Sequence, residues 1–499
     1  MIILNNISKE FADKKLFENL NLTIYDGEKI GIVGANGSGK STLMNIISKD
    51  LLPECGQVNL IGNIEYVKQS TDFDNNKTID ENIEFKKLCQ EIELNKNFEE
   101  LNGNTQNFSG GEKTKLALIK AFNNTSASII LLDEPTNHLD ENGILWLIEK
   151  IKNFEGTIVA ISHDRFFLNQ IANKIIEIEN GQVFEYYGNY DDYYLQKTEK
   201  IEFEKKQYAF QKSLNQKIEN QIAKLKQKAH ELDKNSRRDG SSDKRSKGFK
   251  GGMAVKASKL SKQAKAKETR LVQEKQKMIE RPVEAKEIFY KLNAQNIGSK
   301  VLIKAENISK SFGTNTLFEN ANFVIENGEK VALCGLNGCG KTTLLKMILE
   351  KEPFNGHIWL SSAVKIAYLS QDVFDLKNNS TIIDFASQNG YEYKTKFLTN
   401  LANMGLDKQL FNKKINTLSL GERMKIKINE IILSDYNLLI LDEPANHLDI
   451  NNKIFLENVL KNFDGSLIIV SHDKSFVKNV CNKILKIENK TISKQDIYN

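Results

Sequence analysis

Two pairs of adjacent carboxylates are the residues whose types and positions best suit chemistry. Asp133-Glu134 and Asp442-Glu443 each follow a run of four apolar residues. Such a run predicts a buried parallel strand, and ligands bind at the carboxyl ends of strands in open α/β sheets. Adjacent carboxylates destabilise a fold unless a metal or substrate compensates their charge. We therefore expect Asp133 and Asp442 to hold Mg²⁺, and Glu134 and Glu443 to polarise an attacking water.

A glycine-rich loop follows an earlier apolar run and precedes a helical stretch. Residues 34–41 and 335–342 both match the pattern GxxxxGK[ST], and a chance double match is negligible. Such a loop wraps backbone N–H groups around phosphates, while its lysine neutralises the β/γ oxygens and its hydroxyl ligates Mg²⁺. The following helix adds positive charge at its N-terminus. The predicted nucleotide contacts are Gly34, Asn36, Gly37, Gly39, Lys40, Ser41 and Thr42, then Gly335, Asn337, Gly338, Gly340, Lys341, Thr342 and Thr343.

The repeat extends beyond these loops to aromatic and histidine residues. Phe11 and Phe312 lie at matched positions upstream of each loop, where an aromatic ring either stacks on a base or packs in the core. His163 and His472 each follow a further apolar run. A lone histidine is usually structural, but matched histidines at the ends of matched strands indicate sensors of a γ-phosphate.

A long basic connector separates the two copies. Residues 197–282 contain 25 Lys and Arg against 11 Asp and Glu, a balance of +14, whereas the whole chain has a net charge of +5. Apolar residues three and four apart predict two helices, from Tyr193 to about Leu232 and then up to Glu280. The first would be a rod of about 60 Å at about 1.5 Å per residue. The two should pack as an antiparallel hairpin, and the charge favours a phosphate-rich partner over a simple spacer.

The glycine-containing break between these helices, residues 235–252, is the predicted tip of the hairpin. Its cations suit backbone phosphates, and an exposed Phe249 suits stacking on a splayed RNA base. A disordered, solvated loop is the competing interpretation. The candidate tip residues are Arg237, Arg238, Lys244, Arg245, Lys247, Phe249 and Lys250.

Composition limits the remaining possibilities. A length of 499 residues suggests about three domains, and 40% hydrophobic residues can form real cores. The five cysteines form no CxxC pair or disulfide framework, which fits a reducing cytosol. Neither a signal peptide nor an apolar run of about 18 residues is visible, so the expected location is the cytoplasm.

Together these motifs resemble the ATPases of the ATP-binding cassette (ABC) superfamily over nearly the whole chain. The remaining matched motifs are the glutamines Gln69 and Gln371, the signatures with Ser109, Gly111 and Glu112 and with Ser419, Gly421 and Glu422, and the D-loops Leu139-Asp140 and Leu448-Asp449. The resemblance implies ATP as substrate and Mg²⁺ bound by Ser41, Gln69 and Asp133 and by Thr342, Gln371 and Asp442. It also implies that the cassettes close head to tail, so that Lys40 faces Ser419 and Lys341 faces Ser109.

Two tandem cassettes joined by a charged helical hairpin look like the ABC-F family of ribosome-associated translation factors. The expected fold is α/β, with a first cassette over 1–190, a hairpin linker over 191–300 and a second cassette over 301–499. Only 38 residues separate Gln69 from Phe108, so no arm is expected there, and the arm-less form resembles the antibiotic-resistance branch. The implied partners are ribosomal RNA and tRNA, with no membrane subunit, and the implied state is a monomer.

Other functions stay open at this point. A housekeeping translation factor of the same family is the main alternative to protection of the ribosome from drugs at the peptidyl-transferase region. The motor subunit of a membrane transporter would leave the basic hairpin unexplained, and DNA-maintenance ATPases usually carry their coiled coil inside one cassette. One departure concerns the second signature, where Leu420 replaces the usual glycine and is expected to alter closure or rate at the Lys40 site.

Overall fold

The computed structural model describes residues 1–11, 14–69, 83–92, 110–137, 139–238, 244–276, 299–313, 315–336, 338–370, 379–446 and 448–497. The chain divides into two compact units. Met1–Tyr193 and Lys286–Asn499 together form the first unit, which contains both cassettes, and Tyr194–Ala285 forms the second.

The first cassette contains a six-stranded sheet and a three-stranded antiparallel sheet. Strand order in the larger sheet is β5-β6-β7-β3-β8-β9, with only β9 antiparallel, and the smaller sheet has the order β2-β1-β4. The strands are β1 Ile2–Phe11, β2 Lys14–Ile24, β3 Lys29–Gly34, β4 Cys55–Leu60, β5 Ile64–Val67, β6 Ile129–Asp133, β7 Thr157–Ile161, β8 Lys174–Glu179 and β9 Gln182–Tyr187. The helices are α1 Lys40–Ile47, α2 Ile83–Glu91, α3 Gly110–Asn123, α4 Glu141–Asn153 and α5 Arg165–Ile171.

The second cassette repeats this architecture. Its larger sheet has the order β14-β15-β16-β12-β17-β18 and its smaller sheet the order β11-β10-β13. The strands are β10 Val301–Phe312, β11 Asn315–Glu326, β12 Lys330–Cys334, β13 Asn355–Leu360, β14 Ile366–Leu369, β15 Leu438–Asp442, β16 Ser466–Val470, β17 Lys483–Glu488 and β18 Thr491–Asp496. The helices, numbered after the two in the connector, are α8 Lys341–Ile348, α9 Ile382–Ser387, α10 Tyr391–Asn403, α11 Leu420–Ile432, α12 Ile450–Lys461 and α13 Lys474–Val480, with short 3₁₀ helices at Lys408–Asn412 and Ile415–Thr417.

Burial explains why the apolar runs became central strands. Every residue of β6, β7, β15 and β16 is buried. A strand covered on both faces has no polar side, so it reads as a continuous apolar run instead of an alternating one. One face of each larger sheet packs on the smaller sheet and on α1 or α8, and the other face packs on the remaining helices.

The connector forms two long helices, α6 Tyr190–Arg238 and α7 Lys244–Gln276. Ion pairs between Glu219 and Lys275 at 2.7 Å and between Lys226 and Glu268 join them. Partners later in α6 pair with residues earlier in α7, so the predicted antiparallel hairpin is confirmed.

Two details of the predicted hairpin are wrong. The break is shorter than residues 235–252, because α6 continues to Arg238 and α7 already begins at Lys244. Gly costs only about 1 kcal/mol against Ala in a helix, so the helix formers around Gly248, Gly251 and Gly252 outweigh them. The apolar spacing also predicts that Leu214 lies on the packed face of the first helix, but Leu214 is 38% exposed and its neighbour Asn215 is buried instead.

The start of α6 packs within the first cassette. The Tyr193 hydroxyl donates to Glu177 Oε1 at 2.9 Å, and the rings of Tyr186 and Tyr190 lie 5.0 and 5.5 Å from that of Tyr193. Burial and the neighbouring carboxylate of Glu177 raise the pKa of Tyr193. The tyrosines that lead into the connector thus belong structurally to the cassette.

Candidate nucleotide sites

The parallel strands of each larger sheet bring the motif residues to one edge. In the first cassette, β3 ends at the glycine-rich loop, β5 is followed by Gln69, β6 ends at Asp133-Glu134 and β7 is followed by His163. Because these four strands are parallel, their carboxyl ends share an edge. A cavity of about 410 Å³ there is lined by all of these residues and by Lys40 and Ser41.

The glycine-rich loop has a backbone that only glycine adopts without strain. Gly39 has φ 104° at the N-cap of α1, and a Cβ there would collide with Leu16 and Phe17. Lys40 is 7% exposed, and its Nζ donates to the carbonyls of Gly34 at 2.9 Å and Ala35 at 3.0 Å. Burial lowers the pKa of Lys40 although carboxylates lie nearby. The loop therefore holds a buried cation over its own carbonyls, where phosphate oxygens could replace them.

Hydroxyl and carboxylate oxygens meet beside each loop. Thr342 Oγ1 donates to Asp442 Oδ2 at 3.0 Å. In the first cassette burial raises the pKa of Asp133, and a hydrogen bond from Ser41 partly offsets that rise. The described residues contain no cluster of three or more His, Cys, Asp or Glu that could hold a metal alone. A hard cation here would need phosphate or water oxygens beside these ligands, which is how Mg²⁺ usually binds.

The second carboxylate of each pair lies in strained backbone and faces a histidine. Glu134 and Glu443 both have φ 51°, a left-handed conformation that is uncommon for a residue other than glycine. His163 Nε2 lies 3.4 Å from Glu134 Oε1, and His472 Nε2 lies 3.4 Å from Glu443 Oε1. The same strain and the same distance recur in both cassettes, so they belong to the architecture that the two sites share.

Burial shifts the protonation of these pairs. It raises the pKa of Glu134 to about 7 and the pKa of Glu443 to about 8. It lowers the pKa of His472 to about 4 and that of His163 well below its ordinary value, with further lowering by the lysine of each loop. Near neutral pH each histidine is therefore neutral beside a carboxyl group that titrates.

Several buried polar atoms of the first site fit a bound nucleotide and cation. Asp133 Oδ1, Glu134 Oε1 and His163 Nδ1 find no hydrogen-bond partner within the described part of the chain. Buried polar atoms are nearly always paired in native proteins. These unpaired atoms lie beside a loop in which a Cβ at Gly39 would collide with its neighbours. Both observations indicate a site shaped for a polar ligand and its metal ion.

Each site is also lined by residues of the opposite cassette. Leu420 of the second signature lines the cavity that contains Lys40. Gly111 and Glu112 of the first signature line a cavity of about 840 Å³ that contains Lys341 and His472. Asn36 N donates to Asp449 Oδ2 at 3.1 Å, which joins the first loop to the second D-loop. The cassettes therefore face each other head to tail.

The second signature begins with a capped helix. The Ser419 hydroxyl donates to Glu422 Oε2 at 2.8 Å, and Ser419 N donates to the same oxygen at 2.7 Å. This capping box fixes Ser419 at the N-terminus of α11, where backbone N–H groups favour an anion. Gly421 packs against Asn452, where a Cβ would collide.

The remaining candidates differ in what the structure says of them. Phe11 is 47% exposed and Phe312 is 50% exposed, which rules out core packing for both rings. Phe312 lines the cavity of the Lys341 site. Three predicted contacts, Ser109, Asn337 and Gln371, lie outside the described residues. The side chains of the predicted tip residues lie outside them as well.

Charged residues between the cassettes escaped the sequence analysis. Lys453 Nζ donates to His163 O and to Asp473 Oδ2, both at 3.0 Å, and Arg165 pairs with Glu457. Burial and the nearby Asp473 raise the pKa of Asp164 to about 6. A lysine on an amphipathic helix is usually solvated, so its type and position gave no signal. One difference between the copies could have drawn attention to Lys453. The equivalent position of the first cassette, four residues after its D-loop aspartate, is Ile144.

Known proteins match the chain over almost its whole length. A family model described as ABC transporter matches twice, over residues 17–137 and 318–446. Ribosome protection protein VmlR of Bacillus subtilis is 36% identical over 99% of this chain and 88% of its own. ATP-binding protein Uup of Buchnera aphidicola is 30% identical over 97% of this chain and 80% of its own.

Solved structures match the fold. A structure of the RNase-L Inhibitor superposes with a TM-score of 0.60 at 19% identity, covering 97% of this chain and 87% of that chain. No helix within the described residues is long and apolar enough to cross a membrane. Two family matches, the described motif residues at the edge of each larger sheet and a relative that matches 99% of the chain agree. The chain belongs to the ABC transporter family as an ABC-F protein with two tandem cassettes, and it is an ATPase that converts ATP and water to ADP and phosphate.

Proposed function

We propose that this chain binds the ribosome and, using ATP, protects translation from antibiotics that act at the peptidyl-transferase region. The observation that carries the proposal is the match to a ribosome protection protein over 99% of the chain, connector included. The connector's balance of 25 basic to 11 acidic residues suits ribosomal RNA and tRNA. The partner would be reached in the cytoplasm by a monomer whose two cassettes pair within one chain.

Each ATP site would divide its tasks among the residues at the sheet edge. Lys40 and Lys341 would neutralise the phosphates within the glycine-rich loops. Bound Mg²⁺ would supply further neutralisation, held by Ser41, Asp133 and Gln69 in the first site and by Thr342, Asp442 and Gln371 in the second. Ser419 would contact ATP on Lys40, and Ser109 would contact ATP on Lys341.

Glu134 and Glu443 suit the role of general base. A base works best when its pKa lies near the operating pH, and burial brings these carboxyls to about 7 and about 8. His163 and His472 are neutral at that pH, and the Nε2 of each lies 3.4 Å from Oε1 of the neighbouring glutamate. From there each histidine would orient the γ-phosphate. Each strained glutamate would then take a proton from the attacking water.

The glutamates provide the first test. Replacing both by Gln removes the base and leaves the hydroxyl, aspartate and lysine ligands in place. We expect phosphate release to fall at least about a hundredfold, while ATP binding stays within about threefold, since general bases contribute about 10²–10⁴. The matched control is Glu18→Gln with Glu319→Gln, the same change at two exposed, equivalent positions. Wild-type turnover in the first double variant would refute the assignment.

The same variant tests the partner. Co-sedimentation with ribosomes should increase in ATP for Glu134→Gln with Glu443→Gln, because a chain that cannot hydrolyse ATP stays closed. Expression of wild-type protein in a susceptible strain should then raise the inhibitory concentration of a peptidyl-transferase drug. Ribosome binding without a change in susceptibility would favour a housekeeping translation factor, and absence of ribosome binding would reject both.

The hairpin tip is proposed as the effector. Arg237, Arg238, Lys244, Arg245, Lys247, Phe249 and Lys250 would contact RNA near the drug. Removing residues 240–251 should abolish drug protection and leave ATPase activity without ribosomes within about twofold. Phe249→Ala should cause a partial loss. Unchanged resistance at normal expression of the shortened protein would exclude the tip as the effector.

A further inference from the structure

A buried lysine contacts both of the loops that carry His163 and His472, here called the histidine loops. Lys453 is on α12 of the second cassette and is 7% exposed. Its Nζ donates to the carbonyl of His163 in the first cassette and to Asp473 Oδ2 in the second, each at 3.0 Å. Asp473 directly follows His472. One ammonium group therefore joins the two loops that lie beside the two catalytic glutamates.

The first cassette has no equivalent of Lys453. The position four residues after the first D-loop aspartate is Ile144, which is 6% exposed and cannot donate a hydrogen bond. Nearby, Arg165 of the first cassette pairs with Glu457 of the second, whereas Ile148 occupies the position equivalent to Glu457. Lys474, the equivalent of Arg165, pairs with Glu141 of the first cassette at 2.6 Å. The ion pairs at the ends of the two loops are therefore reciprocal, whereas the buried Lys453 has no equivalent.

Because Lys453 is buried, its two hydrogen bonds are costly to break and restrict the movement of both histidine loops. A buried ammonium group without partners strongly destabilises a fold, so Lys453 keeps its two acceptors at hydrogen-bonding distance. Asp164, next to His163, adds a second favourable charge. A displacement of either histidine loop must move Lys453 or break one of its bonds, and both outcomes change the environment of the other loop.

We infer that Lys453 is a positioning residue that couples the two ATP sites, by tying the histidine loop of the Lys40 site to that of the Lys341 site. The coupling is a free energy between two sites, so it appears as cooperativity in ATP and not only as a loss of stability. It rests on the proposed roles of Glu134 and Glu443 but not on binding to the ribosome.

The test measures steady-state ATP hydrolysis against ATP concentration. We expect a Hill coefficient above 1 for the wild type and close to 1 for Lys453→Met and Lys453→Gln. Ile144→Lys combined with Lys453→Ile moves the cation to the equivalent position of the other cassette and should restore at least half of the lost cooperativity. Lys461→Met, which removes an exposed charge from the end of the same helix, is the control and should behave as wild type.

Single-site variants show whether both sites respond. In Glu443→Gln only the Lys40 site hydrolyses ATP, and in Glu134→Gln only the Lys341 site does. Adding Lys453→Gln should lower the remaining rate at least about threefold in both. A Hill coefficient of 1 in the wild type, or one unchanged in folded Lys453→Gln, would overturn the inference.

A failure of the underlying roles looks different. If Glu134 and Glu443 are not the bases, the single Gln variants hydrolyse ATP normally even with Lys453 intact. A purely structural lysine would lower the thermal midpoint in all variants, including the swapped one, and would leave cooperativity unchanged. Should Lys453→Met fail to fold, Lys453→Gln keeps a hydrogen-bond donor and the swapped pair keeps the cation.

Discussion

At the scale of single residues, the two strand-end glutamates combine strain and burial. Both have φ 51°, and burial raises the pKa of each above its ordinary value of 4.5. Strained, desolvated carboxyls destabilise a fold, and proteins keep them chiefly where chemistry needs them. The cost should be measurable in the nucleotide-free protein.

The first prediction is a pH-dependent gain in stability for Glu134→Gln with Glu443→Gln in EDTA. The folded carboxyls hold their protons up to about 7 and about 8, whereas the unfolded chain loses them near 4.5. The wild type therefore loses stability as pH rises from 4.5 through these values, and the Gln variant does not. Thermal unfolding should show little difference near pH 4.5 and a gain of up to a few kcal/mol near pH 8.

The control for that measurement is Glu18→Gln with Glu319→Gln, the same change at two exposed and equivalent positions. A gain that is the same from pH 5 to pH 8 would show that the raised pKa values are not a property of the folded protein.

Leu420 carries the second prediction at this scale. It lines the Lys40 cavity at the signature position where the first cassette has Gly110. Leu420→Gly should let the second signature approach the nucleotide as closely as Gly110 allows the first signature to do. We expect kcat/KM at the Lys40 site to rise several-fold. The rate is measured in the Glu443→Gln background, where only that site works.

The same substitution in the Glu134→Gln background is the matched control, since the Lys341 site faces the first signature. An equal change at both sites would mean that Leu420 acts through overall closure and not through its own cavity.

The residues of the loops and strand ends could be predicted from sequence because each type suits a particular step of the chemistry and recurs in both copies, and in the first cassette they line one cavity. Lys453 could not, because a lysine on a helix face has no single meaning until its surroundings are known. The exposure of Phe11 and Phe312 also required the structure, since an aromatic residue suits both a base and a core.

At the scale of elements, the hairpin is held together by small side chains. Ala264 is 1% exposed and Ala257 is 7% exposed on α7, and Ile222 is 7% exposed on α6. These residues let the two helices approach closely, and pairs such as Glu219–Lys275 add little because they are exposed. Apolar packing along one seam therefore decides whether the hairpin holds.

The third prediction follows from this seam. Ala264→Lys places a charge where there is no room for it and should destabilise the hairpin by a few kcal/mol. Limited proteolysis should then cut within residues 194–285, while ATPase activity without ribosomes stays within about twofold. Ala266→Lys adds the same charge two residues away at an exposed position and should leave the cleavage pattern unchanged.

Elements were predictable where their pattern had one explanation. The continuous apolar runs could only be covered strands at that length, and β6 and β15 are fully buried. The extent of the hairpin break was misjudged because glycine penalises a helix without forbidding it. Long flanking stretches of Lys, Ala and Gln, and packing between helices, decide such a case.

At the scale of the whole molecule, charge is unevenly distributed. Residues 197–282 have a balance of +14 in a chain whose net charge is +5, so the remainder is acidic. Such a distribution attracts a polyanion to the connector and repels it from the cassettes.

The fourth prediction is that ribosome binding weakens steeply with salt. Counterion release should cost at least about a hundredfold in affinity between about 50 and 200 mM salt. Replacing four exposed connector lysines, Lys256, Lys259, Lys262 and Lys265, by Gln should make the slope shallower. Replacing four exposed cassette lysines by Gln removes the same charge and should leave the slope unchanged. These lysines are Lys49, Lys408, Lys413 and Lys414. Equal slopes for the two sets would assign the connector charge another purpose.

The pairing of the cassettes followed only from the resemblance, because no periodicity in the sequence specifies which surfaces meet. The contact between Asn36 and Asp449 and the position of Leu420 required the structure. The contacts of Lys453 also lie between the two cassettes, so neither copy alone contains the information.

The unequal pair Lys453 and Ile144 bears on how a duplicated gene can diverge. A homodimer of the first half would bring two buried Asp164 carboxylates together with Ile144 on both sides and no lysine between the histidine loops. A homodimer of the second half would have to fit two lysines where the chain now accommodates one lysine and one isoleucine. Expressed as separate polypeptides, the halves should therefore bind each other more tightly than either binds a second copy of itself.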